Sequence, residues 1–238
     1  MSKAPAVDYA LRIIEFFSEA RKEIGIADIC NSLEINKNAA SRVLEALLEY
    51  KWIYLSDEVQ KKYRFTMKPF SVVSKCTSEY AIAEIAKSEL RRLNEQFGYS
   101  VYLGIKNKEN VIYLLHFDST KEVRINGRVG GEYPLRTSAP GKVLLANDEH
   151  DDEFADEANK IKDCGYAIDN EEFAKGIICV ACPVYNSEGK VAAAVGISSL
   201  TIYDDINSLE RDILPELKKA ARNISLNLGY REDADYAL

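Results

Sequence analysis

With 238 residues, 47% apolar and 29% charged, the chain is one large globular domain or two ordinary ones, and a mostly disordered protein is excluded. No apolar run approaches the ~20 residues of a membrane span, and Met1-Ser2-Lys3-Ala4-Pro5 lacks a signal-peptide core, so a cytoplasmic protein without a membrane partner is expected. The net charge of −7 is uneven: through Lys68, 11 Lys+Arg stand against 10 Asp+Glu (+1), and beyond it 20 against 28 (−8), which argues against nucleic-acid binding over the whole surface but permits it at one end.

In chain order, Val7, Ala10, Leu11, Ile14 and Phe17 recur at helical spacing and predict a first helix ending near Glu19. Ile26, Ile29 and Leu33 mark a shorter second helix. Asn36 can cap a third, in which Ala40, Val43, Leu44, Leu47 and Leu48 share one face. Trp52–Leu55 and Lys61–Phe65 are β-rich segments around a polar tip, Ser56-Asp57-Glu58-Val59-Gln60. Helix, helix, turn, helix and hairpin is the order of a winged helix-turn-helix, placed at residues 1–68. Residues 69–97 are expected to hold a linker helix, starting at Ser78-Glu79 and stopping at Gly98. Its stripe of Ile82, Ala83, Ala86, Leu90, Leu93 and Phe97 fits packing on a second copy or on its own domain.

From residue 98 to 238 the pattern is α+β. Ser100–Ile105 and Val111–Phe117 alternate as strands around Asn107-Lys108-Glu109-Asn110. Thr137–Ala146 reads as a helix start with a hydroxyl cap and a proline in its first turn. Ile177–Val184 and Val191–Ser198 are paired strands. A closing amphipathic helix runs from Ile206 to Leu228, with Pro215 as its candidate bend.

On the third helix the apolar stripe leaves Lys37, Asn38, Ser41, Arg42 and Glu45 on the open side. Arg can pair bidentately with guanine, Asn can read adenine, and Lys and Ser can hold phosphates. The same polar face suits any solvated helix. The hairpin strengthens the DNA reading: alternation turns Lys62 and Arg64 outward, with Lys61 beside them, while Asp57 and Glu58 at the tip repel phosphate.

Gly25–Leu48, Arg128–Ala146, the run Gly165-Tyr166-Ala167-Ile168-Asp169-Asn170-Glu171-Glu172, and Gly176 followed by Cys179-Val180-Ala181-Cys182-Pro183-Val184 together resemble the IclR family of bacterial transcription regulators over nearly the whole chain. The resemblance implies a winged helix-turn-helix, a linker helix and a GAF-like α/β effector domain with an antiparallel sheet. It also implies homodimers or dimers of dimers on palindromic double-stranded operator DNA, most often as repressors, here of a small catabolic operon. Carried over by position, the effector contacts are Tyr133, Ser138, Ala139, Pro140, Asp169, Ile177, Cys179, Gly196 and Ser198. Glu34 stands where the family has a turn glycine, so a left-handed residue there would be strained. The wing tip has no glycine, and the segment between Ala146 and Gly165 is shorter than the family's usual helix-containing stretch.

Alternation on the last strand puts Val191, Ala193, Val195 and Ile197 on one face and Ala192, Ala194, Gly196 and Ser198 on the other. The second face has almost no bulk, so a ligand or a closely packed helix must fill it. Cys179 and Cys182 point to opposite faces of their strand, which removes a zinc or redox pair, and five cysteines at irregular spacing make no disulfide framework. The helix start at Thr137–Gly141 is a candidate anion site, and with Asp169 it favours a small carboxylate metabolite bearing a hydroxyl. His116 lies in an apolar strand, and His150 in the acidic run Asp148–Glu153. No catalytic motif is present, so neither an enzyme nor a cofactor is expected. The competing classes are a sensor or interaction module without DNA binding and, after it, a hydrolase.

Overall fold

The structure, a computed structural model, describes residues 4–20, 22–76, 79–147 and 154–231, and divides into two compact units, Met1–Thr77 and Ser78–Leu238. The first unit has α1 (Pro5–Ala20), β1 (Ile24–Gly25), α2 (Ile26–Leu33), α3 (Lys37–Glu49), the hairpin β2 (Ile53–Asp57) and β3 (Lys62–Phe65), and α4 (Lys68–Cys76). Asn36 caps α3 as expected, its side-chain oxygen accepting the Ala39 amide at 2.9 Å. Ile13, Phe17, Ile29, Ala40, Val43, Leu44, Leu47 and Ile53 form the core, so α3 buries the stripe that its spacing predicts, whereas α1 is turned from the expected face: Ile13 and Phe17 are buried, and Val7 and Leu11 are exposed. Two features had no signal in periodicity. β1 adds a third strand to the wing in the order β1-β3-β2, and α4 follows the wing directly.

Glu34, the C-cap of α2, takes φ 54° and ψ 38°, so the turn into α3 keeps its left-handed geometry without a glycine. The wing tip also dispenses with glycine. Lys61 takes φ 53°, and the Asp57 carboxylate accepts the amides of Val59 and Gln60, each at 2.8 Å. Asp57 is thus a turn former as well as a charge at the tip.

The second unit is built on a six-stranded antiparallel sheet in the order β6-β5-β4-β9-β8-β7. Its strands are β4 (Ser100–Asn107), β5 (Asn110–Phe117), β6 (Glu132–Pro134), β7 (Ala167–Asn170), β8 (Ile177–Tyr185) and β9 (Val191–Leu200). The helices are α5 (Glu79–Phe97), α6 (Ala139–Ala146), α7 (Ala155–Cys164), a single turn α8 (Ile206–Ser208) and α9 (Leu214–Asn227). One face packs on α5 and α9, with Leu90, Leu93, Val180, Val195, Ile197, Leu217 and Ile224 in a shared core. The other face packs on α6 through Val143, Leu144, Ala181 and Ala194.

The α5 stripe therefore faces its own sheet: Ala86, Leu90 and Leu93 are fully buried there, and the alternative of packing on a second copy is not what these residues do. The short stretch between Ala146 and Gly165 still carries α7, closed by Gly165 at φ 74°. A π-helical turn at Leu209–Ile213 precedes Pro215 and accommodates the irregularity expected at that proline. One alternation is corrected. A bulge between Val184 and Tyr185 opposite Val191 moves Ala192 to the α5/α9 side and Val191 to the α6 side. His150 and the acidic run Asp148–Glu153 lie outside the described residues, as does Ser78.

Candidate functional site

In the first unit, the apolar stripe of α3 anchors the helix and leaves Lys37, Asn38, Arg42 and Glu45 exposed, with Ser41 half-buried beside them. On the wing, Tyr63 and Phe65 pack toward the core, Phe65 lying 5.3 Å from the Phe17 ring. Lys61 and Arg64 are exposed, and Lys62 is half-buried. The cations expected on α3 and on the wing thus reach the surface of one small domain, and Lys37 stands at the N-terminal end of α3.

In the second unit, strand register assembles a row of polar side chains on the α6 side of the sheet. Asp169 pairs with Cys179, Cys179 with Ser198, and Ser198 with Ser100, across β7, β8, β9 and β4. The Cys179 thiol lies 2.9 Å from the Ser198 hydroxyl, which in turn donates to the Tyr102 phenol at 3.3 Å. A second row runs Ala181, Gly196, Tyr102, His116. The small residues of β9 are covered here by a neighbour rather than by a void: a Cβ on Gly196 would lie 2.4 Å from the Tyr102 ring. Helix α6 covers Ala194.

These rows floor a cavity of about 30 Å³, lined by Tyr133, Ser138, Pro140, Asp169, Ile177, Cys179 and Ser198 among the expected residues. Ala139 and Gly196 are not in its wall; Ala139 is fully buried in the α6 core, and Gly196 lies under Tyr102. Tyr102, Tyr113, His116, Phe173, Ser100, Ile125 and Gly127 complete the wall and were not expected there. Tyr113 stacks on Tyr102 at 4.5 Å and on Tyr133 at 4.1 Å, and Phe173 meets the edge of Tyr133 at 5.8 Å. A period-two reading cannot put Tyr113 and His116 on one face, because they are three residues apart. A bulge in β5 between the partners of Leu103 and Gly104 does so.

Asp169 is fully buried. Its Oδ1 accepts the amides of Glu172 and Phe173 at 2.8 and 3.1 Å, whereas Oδ2 is buried without a hydrogen-bond partner. Burial raises its carboxyl above the ordinary range although the two amides pull it down. Burial also pushes the Cys179 thiol up to about 12, with Asp169 adding to the effect, so this is no poised nucleophile. The His116 imidazole is lowered by burial against the opposing pull of Asp118, whose carboxylate is 3.4 Å from Nδ1. The loop after β7 is tied down by Lys142 of α6. Its buried ammonium meets Glu172 at 2.6 Å, Glu157 at 2.9 Å and the Ile168 carbonyl at 3.1 Å. Burial lowers the Lys142 ammonium, but the two glutamates outweigh it and hold it above its ordinary value.

The anion reading of the α6 terminus narrows. Ser138 accepts the Gly141 amide on Oγ and the Lys142 amide on its carbonyl, and the Ser138 amide donates to Pro134. With Pro140 lacking an N–H, Ala139 supplies the amide left at this end among the described residues. No lysine or arginine lines the cavity.

Comparison with known proteins finds two family descriptions on this chain. The IclR helix-turn-helix domain matches residues 6–56, and the bacterial transcriptional regulator IclR C-terminal domain matches residues 74–153 and 149–226. The HTH-type transcriptional regulator KdgR of Dickeya chrysanthemi is 27% identical over 243 residues, covering 92% of this chain and 78% of that protein. Among solved structures, the IclR protein of Thermotoga maritima superposes with a TM-score of 0.77 at 23% identity, covering 95% of this chain and 99% of its own. An IclR homolog from Microbacterium hydrocarbonoxydans, solved with 4-hydroxybenzoate, gives 0.76 at 17% identity over 94% of this chain and 98% of its own.

Proposed function

This chain belongs to the IclR family of bacterial transcriptional regulators, and we propose from that premise that it is a cytoplasmic, ligand-responsive repressor of a small catabolic operon. Its relatives are DNA-binding regulators and not enzymes. Operator contact is assigned to Lys37, Asn38, Ser41 and Arg42 on α3 and to Lys61, Lys62 and Arg64 on the wing. In a helix-turn-helix the second helix enters the major groove with its N-terminal residues toward base edges. A homodimer or dimer of dimers is part of the reading. Val7 and Leu11 of α1 are 58% and 57% exposed, apolar surface suited to a second copy. No described helix is long and apolar enough to cross a membrane.

The observation that carries the effector reading is the unpartnered, buried Oδ2 of Asp169 in the wall of the cavity. A buried acceptor without a donor is costly, and a ligand hydroxyl relieves it. The proposed effector is a small hydroxylated carboxylate metabolite: its hydroxyl donates to Asp169, and its acid group takes the Ser198 hydroxyl, which turns to it from the long bond to Tyr102. The stacked tyrosines favour a second reading within the same class, an aromatic hydroxy acid, and the Microbacterium homolog holds one, 4-hydroxybenzoate. A gel-shift titration on the DNA upstream of the gene, with and without a panel of hydroxy acids, tests the proposal. A shifted complex released by one of them is expected. No shift at any protein concentration leaves a sensor without DNA binding. In a parallel calorimetric panel, tighter binding of amines or of aromatics without an acid group would overturn the carboxylate.

A further inference from the structure

Residues 118–131, between β5 and β6, run without regular structure along one wall of the cavity, and we propose that they are a strap that gates it, latched by Tyr203. The proposal rests on reading the cavity as a ligand site, but its test uses no effector. The strap is anchored at both ends. Ser119 bonds the Ser100 hydroxyl and the Gly98 carbonyl at 3.2 and 2.8 Å, and Gly130 donates to the Tyr113 carbonyl at 2.8 Å. Between the anchors, the amide of Val123 donates to the Tyr203 phenol at 3.0 Å, and the Lys121 ammonium lies 5.0 and 5.9 Å from the Tyr99 and Tyr203 rings. Among the described residues, that one hydrogen bond is what ties the stretch 122–127. Ile125 and Gly127 face inward, and Gly127 lies so close to His116 that a Cβ there would come within 2.2 Å of Nε2.

Ligand entry needs such a wall. The cavity of about 30 Å³ and a second of about 10 Å³ beneath the strap, which share Ser100, Ile125 and Ser198, hold a water or two and no organic acid. The remaining walls are sheet strands, the buried helix α6, and a loop after β7 held by the Lys142–Glu172 and Lys142–Glu157 pairs and by the amides on Asp169. The strap has the fewest ties, so it opens at the lowest cost, and lifting it joins the two spaces.

Cys179 in the cavity wall reports the opening. Full-length protein is exposed to methyl methanethiosulfonate, and labelling of each cysteine is followed by peptide mass spectrometry. Cys182, buried on the opposite face of the sheet beside a separate cavity that no strap residue lines, is the reference thiol for motions elsewhere in the unit. Tyr203→Phe, which removes the latch hydrogen bond, is expected to speed Cys179 labelling about three- to tenfold with Cys182 unchanged. Gly127→Ala, which pushes the strap off His116, is expected to act in the same direction. The gate is overturned if Cys179 labelling is unchanged in both variants, or if Cys182 rises in step with Cys179. It is equally overturned if Phe173→Ala in the loop after β7 opens Cys179 and the strap variants do not.

Discussion

Asp169 and Glu34 each hold a conformation or charge state that the fold disfavours on its own. Because the Asp169 carboxyl is raised by burial, its own contribution to stability is greatest below the ordinary carboxylate range and is lost as pH rises through the folded-state value. Asp169→Asn keeps an oxygen for the Glu172 and Phe173 amides and carries no charge. Its melting temperature is expected to exceed that of the parent at pH 7, with the gap closing toward pH 4, in thermal melts across that range. The same variant is expected to lose the effector response while operator binding persists. Glu34 is the opposite kind of residue, strained in its backbone rather than its charge. An L-residue in the left-handed region costs about 1–2 kcal/mol, and glycine returns part of that through its unfolded-state freedom. Glu34→Gly is therefore expected to stabilise the first unit by roughly 0.5–1 kcal/mol in denaturant titrations, and a loss of stability would show that the turn is held by other contacts.

Among the elements, α5 shows how an amphipathic stripe leaves its partner undecided. Leu90 and Leu93 are fully buried against the sheet and α9, so lysines there place unpaired charges in the core and unfold the second unit rather than merely weakening DNA binding. The measured form of this is Leu90→Ala, expected to cost about 2–5 kcal/mol in denaturant unfolding. A loss below 0.5 kcal/mol would return the helix to an intermolecular role. On the proposed operator face, α3 and the wing are separable by chemistry. Arg42→Ala is expected to cost about 1–3 kcal/mol on the specific site if its guanidinium reads a base. Lys62→Ala is expected to weaken all sequences alike and to lower the salt slope by about one ion. Fluorescence-anisotropy titrations of specific and random duplexes at several salt concentrations separate the two, and unchanged binding in both variants would move the interface elsewhere.

At the scale of the whole molecule, charge sets how the protein meets DNA. A DNA-binding region of net +1 and a remainder of −8 offer few phosphate contacts, so one copy is expected to bind weakly and to need a second on a half-site about 34 Å away. Footprinting is expected to show two protected half-sites with that spacing, and sedimentation a dimer or larger. A monomer that protects one half-site tightly would contradict it.

Periodicity and capping chemistry were enough to place α1, α2, α3, the wing strands, α5 and the main strands of the sheet, because each depends on neighbours within a few turns or residues. The opposed faces of Cys179 and Cys182 were legible for the same reason: a strand alternates wherever its register is unbroken. The polar row from Asp169 to Ser100 was not, since which residues stand opposite one another is set by pairing between strands distant in sequence. Nor was the place of Tyr113 and His116 in the cavity wall, because a bulge breaks the period from which faces are read. The bulk missing from Gly196 is supplied by Tyr102, and the stripe of α5 finds its partner in α9. Local pattern says that a surface will be covered, but only the packed chain decides by what.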